Sequence, residues 1–369
     1  MGVPIGIRQL FESRTRTIVS VGGVALAMLL VIALDGVFAG VMRQLTAYMD
    51  NEPFDVVMAQ EGVRNLHMTS SQFPLEKIDE ARGVDGVRSV DPILYTTTYL
   101  VSGEDRSLAY FIGYEPGRVG GPWAVEGVPR RPGRGEIVID EQVAADHGLR
   151  IDDTITALGR DFRVAGLNSG SVSIINSIAF VRFDDFEQST GLTDTTSFGL
   201  VRVEPGEDPG VVAARIRRRE DGVNVMTREQ FAENERRIIS DMSVDIMRIM
   251  NTIAFLIGLA AVALTVYTAT FAKLREYGVL KAVGARNRVL VGFVFSQAAA
   301  AVALGLLLAV ALAFALAGAL FVAGLRIQLV ITADSVARVG LASVVIGLLG
   351  SIIPIATIAS VKPADVLRR

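Results

Sequence analysis

Cysteine is absent from the 369 residues, which excludes disulfides, thiolate nucleophiles and cysteine-ligated metal. Histidine is almost absent. His67 and His147 lie far apart in sequence, lack the H-E-x-x-H spacing of a zinc protease, and read as ordinary domain residues. No Gly-Lys dipeptide occurs, so there is no G-x-x-x-x-G-K-[ST] phosphate loop and the chain cannot itself be a P-loop ATPase. No G-x-S-x-G nucleophile elbow is present either. The nearest approach, Gly170-Ser171 within LNSGSVS, reads as a polar loop. No pair of carboxylates stands out as an acid and a base. The expectation is a chain that is not an enzyme, with no catalytic, cofactor-binding or metal-binding residues of its own.

What is abundant is apolar residues, 51% of the chain, with a mean hydropathy of +0.44 beside 20% charge. That mixture predicts membrane spans joined to one sizeable soluble part. About 20 apolar residues cross the hydrocarbon core, and four runs are long enough. The expected order is an amphipathic helix at 1–16, with Ile5, Ile7, Leu10 and Phe11 opposite Arg8, Arg14 and Arg16, and then a first span at 17–42. A soluble domain at 43–240 precedes a second span with a helical extension at 241–272. A basic loop at 273–288 separates it from a third span at 289–322. A short loop at 323–338, a fourth span at 339–361 with Pro354 as a kink, and a tail at 362–369 complete the chain. The first apolar run is longer than a usual signal-peptide core and no clean A-x-A site follows it, so it reads as a retained span. The fold class is thus a membrane protein with four transmembrane α-helices (1+3) and a large α+β extracytoplasmic domain between the first and second.

Charge separates these parts. The segment from Arg43 to Ser240 carries a net −10, and the rest of the chain +7. An acidic soluble domain argues against nucleic acid as a partner. The N-terminal segment, the 273–288 loop and the tail are the three most basic connections, and four spans require them to share one side. The positive-inside rule makes that side cytoplasmic and puts the large domain outside, in a cell membrane protein.

The soluble part alternates strand-like and helix-like pieces. Strands are predicted at Phe54–Ala59, Val87–Val101, Leu108–Tyr114, Glu136–Ile139, Thr154–Leu158, Phe162–Leu167, Ile178–Arg182, Ser197–Val203 and Val223–Met226. Helices are predicted at Leu75–Arg82, Glu141–His147 and Pro209–Arg219, with a helix start at Asp184. Glu115–Arg134 is rich in Gly, Pro and Arg and reads as loop; it holds the only tryptophan, Trp123. From Thr227 a helical pattern runs unbroken into the second span. Asp245 and Arg248 share a face of it.

Asp35 is the one carboxylate inside a span pattern, a functional candidate by default. It lies near the outer end of its span, at a height like that of Arg248, so a structural Asp35–Arg248 pair or simple solvent contact is expected rather than a transport role. Gly36 and Gly40 form G-x-x-x-G one turn on, which suits close helix contact.

The basic loop Lys273–Leu290, KLREYGVLKAVGARNRVL, is patterned as a small amphipathic helix although it only joins two spans. Within it REYGVLKAVGA resembles the R-E-x-G-x-x-[KR]-A-x-G-A signature of FtsX/MacB/LolC-type permease subunits of ABC transporters. The tail KPADVLR resembles that family's closing P-x-x-x-L-R. Gly135–Leu167 resembles its strand, helix, G-L-x-x-G-D-T turn and strand-pair module, with Asp152 where glycine is usual. The resemblance covers nearly the whole chain.

The resemblance implies a permease that pairs with a second copy or a related permease, with two copies of a separate ATPase, and with membrane lipid. An extracytoplasmic adaptor is a further partner open to it. ATP and Mg would be bound by the partner ATPase, not by this chain. The loop would be the coupling helix seated on that ATPase, with Arg275, Glu276 and Lys281 making polar contacts. Gly278, Ala282, Gly284 and Ala285 would allow close backbone approach, and Gly284 would end the helix. ATP-driven motion would pass along the helix around 227–272 to the outer domain, exporting or extracting a hydrophobic or amphipathic substrate. The alternative is a signal transducer that activates an extracellular partner such as a cell-wall hydrolase.

Overall fold

The computed structural model describes residues 14–67, 69–127, 132–171 and 177–360. The amphipathic helix expected at 1–16 falls almost wholly outside these residues, as does the tail. The chain divides into two compact units: residues 41–242, and residues up to 40 together with those from 243 onward.

The first of these units is built on one mixed sheet. Its spine is the hairpin β3 (Val87–Ser102) and β4 (Asp105–Tyr114), which pair from Ile93–Tyr114 to Ser102–Asp105. That register leaves a two-residue turn, and Gly103 takes the positive φ (+62) such turns require at their first position. Beyond β3 the sheet continues through β11 (Phe198–Val203) and β1 (Val56–Gln60) to β12 (Val223–Thr227), all antiparallel. Beyond β4 come β9 (Ser177–Arg182), β6 (Glu136–Asp140), β8 (Arg160–Asn168) and β5 (Val125–Gly127). The β4–β9 and β6–β8 pairs are parallel. A short strand, β7 (Thr154–Ala157), joins both β8 and the far end of β3. Strands β2 (Phe73–Pro74) and β10 (Thr195–Thr196) form a separate small ribbon.

Four short helices lie in this unit: α2 (Glu76–Arg82), α3 (Glu141–Asp146), α4 (Phe183–Thr190) and α5 (Pro209–Arg219). Their starts follow sequence chemistry. Asp140 caps α3 by accepting from the Gln142 N–H, and Asp208 caps α5 through Val211 with Pro209 in the first turn. The turn after α3 uses Asp152 at φ +76, where the family usually has glycine. Aspartate is among the few side chains that enter the left-handed region at modest cost, and Arg163 reaches back to its carboxylate.

The segment expected to be loop, 115–134, contributes β5, and Trp123 packs edge-on against Phe180 at 6.0 Å. Its irregular chain is held by Asn168, whose buried Oδ1 accepts from the N–H groups of Trp123 and Ala124. Burial of this segment depends on tertiary partners distant in sequence, which composition does not reveal.

Two long helices reach into this unit. The C-terminal end of α1 (Arg14–Asn51) places Tyr48 and Met49 in the core, and the first turns of α6 (Arg228–Ala272) place Phe231 and Ala232 beside them. Tyr48 donates to the Gly120 carbonyl, and Glu52 accepts from the Gly120 N–H. Buried Glu235 on α6 accepts from the backbone N–H groups of Leu66 and His67 and bonds the His67 ring at 2.9 Å.

The other unit is helical. It contains most of α1, the rest of α6, then α7 (Leu274–Ala282), α8 (Asn287–Val322), α9 (Ala333–Gly350) and α10 (Ile352–Ser360). Among the described residues, four stretches are long and apolar enough to cross a membrane: Val21–Asn51, Arg248–Ala272, Asn287–Val322 and Ala333–Thr357. Glycine sets their contacts. Gly258 faces Ala27 and Ile346, Gly305 faces Val24, Gly350 faces Val262 and Gly347 faces Val302. The four helices therefore neighbour one another in the cyclic order α1, α6, α9, α8. Apolar side chains such as Leu264, Leu307, Phe314 and Leu341 point outward. The fourth stretch breaks at Ser351, between α9 and α10. Pro354 has no N–H to offer the Gly350 carbonyl and its ring crowds it, so the break falls one turn ahead of the proline.

Gly36 and Gly40 do make a close contact, but not with a helix. They face the extended chain at Gln328–Val330, where the Val330 N–H donates to the Gly36 carbonyl at 3.0 Å. A Cβ on Gly40 would lie 1.9 Å from the Gln328 carbonyl oxygen. Gly40→Ala is therefore expected to destabilise the purified protein by about 1–3 kcal/mol, the usual cost of overpacking. Gly22→Ala, which meets nothing within 4 Å, should be neutral within about 0.5 kcal/mol. Thermal unfolding in detergent checks both.

Candidate functional site

Helix α7 is set off from α6 by a single non-helical residue, Lys273, whose N–H turns back to the Thr270 carbonyl at 3.1 Å. It ends in a Schellman turn. Val283 is the C-cap, Gly284 (φ +98) donates to the Lys281 carbonyl at 3.0 Å, and Ala285 donates to the Leu280 carbonyl at 2.9 Å. Gly284 thus sits where a residue without Cβ is favoured.

The helix has two sides. Tyr277 and Gly278 are buried, and Tyr277 joins the core cluster that holds Leu290 and Val294 of α8. Burial pushes the Tyr277 phenol above its ordinary pKa, and the Glu276 charge adds to this. The other side carries Glu276, Val279, Leu280 and Val283, spaced i, i+3, i+4, i+7. Glu276 is exposed, and the three apolar residues are 44%, 42% and 84% exposed. Arg275 and Ala282 are exposed beside them, while Lys281 and Ala285 are half-buried. Glu276 lies 4.0 Å from the Lys273 ammonium.

Gly278, expected to allow the approach of a partner, is buried within its own chain. The expectation for this helix did not include Tyr277, although its spacing carries the signal: Leu274, Tyr277, Gly278 and Lys281 lie on one face, opposite the Glu276–Val283 stripe.

The Asp35–Arg248 pair is not formed. Asp35, 9% exposed, meets Arg338 of α9 at 3.3 Å and the Ser335 hydroxyl at 3.4 Å. Arg338 also bonds Asp334 at 2.7 Å, while Arg248 pairs with Asp245 at 3.5 Å on its own helix. The cause is local. Thr332 caps α9 by accepting from Ser335, and the preceding extended segment is seated on Gly36 and Gly40, which delivers the first turn of α9 to Asp35. Arg248 does line the same cavity as Asp35.

Residues 17–219 match the family model of the MacB-like periplasmic core domain, and residues 248–363 match that of the FtsX-like permease C-terminal region. The first match alone spans more than half the chain. The chain belongs to the FtsX/MacB-type permeases of ABC transporters. This family is the transmembrane component of the transporter, and membership implies partnership with an ABC ATPase subunit and a place in the cell membrane. The chain is also similar to the extracellular domain of the noncanonic ABC-type transporter YknZ from Gram-positive bacteria. The identity is 17% over 47% of this chain and 98% of that one, with a TM-score of 0.37. For the periplasmic region of MacB from Actinobacillus actinomycetemcomitans the values are 12%, 52%, 97% and 0.39. No curated protein matches.

In this permease the two ion pairs separate under mutation. Arg338→Ala leaves buried Asp35 short of its partner and should cost roughly 1–3 kcal/mol, reduced from the fully buried case because the Arg338 side chain is itself exposed. Arg248→Ala breaks only an exposed pair and should cost less than about 0.5 kcal/mol. Tyr277→Ala should cost about 3–5 kcal/mol and speed amide hydrogen exchange across 274–282, whereas Tyr277→Phe should leave that exchange slow.

Proposed function

We propose that α7 is the surface on which the partner ATPase sits, and that the permease converts ATPase motion into movement of the 43–240 domain. The observation that carries this is the stripe of Val279, Leu280 and Val283. It is an exposed apolar patch on a short helix outside the spans, flanked by Arg275 and Glu276 and fastened from behind by Tyr277. Exposed apolar groups gathered in this way mark an interaction surface. A helix anchored on one side and bare on the other transmits force to the chain that holds it. Glu276 and Arg275 supply charged contacts to the ATPase, and Lys281, Ala282 and Ala285 border the stripe. Gly284 ends the helix so that the chain can re-enter the membrane.

In this reading the N-terminus, the α7 loop and the tail are cytoplasmic, and the 43–240 domain, set between the first span and the other three, is extracytoplasmic. The excess of basic residues in those three connections supports that placement. Two permeases, identical or related, engage two ATPase copies, which hold ATP and Mg; this chain performs no catalysis. The helix α6 runs from Arg228 to Ala272, and in this reading motion at α7 passes along it toward the 43–240 domain. The product of that motion is export or extraction of a hydrophobic or amphipathic substrate, with an extracytoplasmic adaptor as an optional further partner.

The test is copurification with the P-loop ATPase and assay of its hydrolysis. Glu276→Lys combined with Gly284→Trp is expected to lower complex yield and coupled ATPase activity by tenfold or more, the order set by losing a buried interface contact of about 1.4 kcal/mol or above. Unchanged coupling would remove α7 from the interface. In reconstituted vesicles, lipid- or substrate-stimulated hydrolysis is expected. Stoichiometric capture of an extracellular hydrolase without any such stimulation would replace transport with signalling.

A further inference from the structure

The helical unit contains a cavity of about 440 Å³ between α1, α6 and α9. Its lining changes character along its length. On α1 the wall runs Val24, Met28, Val31 and then Asp35; on α6, Phe255 and Gly258 follow Arg248 and Asn251; on α9, Ile346 follows Arg338. The glycine contacts set the levels. Ala27 faces Gly258 and Gly23 faces Ala261, so α1 and α6 run antiparallel. Gly258 faces Ile346 and Gly350 faces Val262, so α6 and α9 run parallel. Counting eight residues from the Ala27–Gly258–Ile346 level brings Asp35, residue 250 and Arg338 together. Asp35, Arg248, Asn251 and Arg338 therefore share one end of the cavity. At 1.5 Å per residue the mainly apolar part below them is about 12 Å deep; the hydroxyls of Thr252 and Ser343 also line it, but each donates to a carbonyl of its own helix, Arg248 and Gly340.

This is the shape of an amphiphile site, with a narrow apolar slot beneath a polar cap, and its size is within the range of small-molecule pockets. The cap constrains the headgroup. The Asn251 Oδ1 is buried and accepts no hydrogen bond within the protein, so it calls for a donor. The Asp35 carboxylate, with two partners at 3.3 and 3.4 Å, has room for another donor. The Arg248 and Arg338 guanidinium groups are paired with Asp245 and with Asp334 and Asp35, but each has five N–H donors and keeps some of them for a further anion. A choline headgroup has no N–H to give, and a glycerol headgroup offers hydroxyl donors but no positive charge to meet the Asp35 carboxylate. A phosphodiester carrying a primary ammonium answers all four.

We propose that this cavity binds one acyl chain of a membrane phospholipid with a primary-amine zwitterionic headgroup, its ammonium on Asp35 and Asn251 and its phosphate on Arg248 and Arg338. The proposal rests on the spans lying in a bilayer. It does not rest on the ATPase docking at α7, so either can fail alone.

The experiment places the full chain in nanodiscs with photoreactive probes bearing a diazirine on the acyl chain: phosphatidylethanolamine, phosphatidylcholine or phosphatidylglycerol. Labelled peptides are mapped by mass spectrometry. The ethanolamine probe is expected to label Met28, Phe255 or Ile346 about tenfold more than the other two, the ratio one charge-assisted hydrogen bond supplies. Outward-facing Leu307 should label equally with all three. Asn251→Leu should bring the ethanolamine probe down to the choline level. Ala342→Phe, which fills the slot and leaves the cap intact, should abolish cavity labelling while Leu307 still labels, which shows that the variant is folded. Equal labelling of the cavity by all three lipids reduces it to ordinary bilayer contact and overturns the proposal. Labelling at Leu307 with none in the cavity means that another protein surface, such as a second copy, covers it, and overturns the proposal equally.

Discussion

Close approach of helices at glycine is the constraint on which the membrane-spanning unit depends. Lipid tails are as apolar as leucine, so helices gain little by burying leucine against one another and rely on van der Waals contact at short range. Gly258, Gly305 and Gly350 let α6, α8 and α9 come within contact distance of their neighbours. That closeness sets the levels of the polar residues. Asp35 finds Arg338 because the segment before α9 fits against Gly36 and Gly40. The same order of helices leaves the space between α1, α6 and α9 that the close contacts do not fill.

The sheet unit solves a different problem. Both long helices begin or end in its core, where irregular chain has to be buried, and buried backbone groups need partners. Glu52, Asn168 and Glu235 supply them, each accepting from N–H groups of nearby loops. Tyr48, Phe231 and Phe180 pack into the same core. The ends of α1 and α6 are thus integral to the unit.

Much of this was legible in the sequence. Apolar run length located the four spans, since backbone groups in lipid have to be satisfied within a helix and helices need a minimum length. Alternation located β1, β3, β4, β8 and β9 to within a few residues, and capping chemistry located α3 and α5. The loop motif pointed to α7, and Gly284 stands in its expected turn. What escaped was whatever depends on residues distant in sequence. β5 was hidden in a Gly- and Pro-rich segment because its pairing with β8 and its anchor at Asn168 lie some 40 residues away. Arg338, and not Arg248, meets Asp35, because height along a span does not say which helix is adjacent. The burial of Tyr277 and Gly278 was hidden for a like reason: an amphipathic pattern identifies two faces without saying which one is inside.

The sequence by itself determined that this is a membrane protein with a large acidic soluble part, that it carries no phosphate loop, and that its basic glycine-punctuated loop is patterned as a short helix. Those properties follow from composition, length and local turn chemistry, which act between neighbours in the chain. Only the tertiary structure decided which face of that helix is bare, which arginine answers Asp35, and where a cavity with an unsatisfied amide opens between three spans. Each is a matter of which surfaces meet, and residues 300 positions apart meet only when the packing of whole helices brings them together.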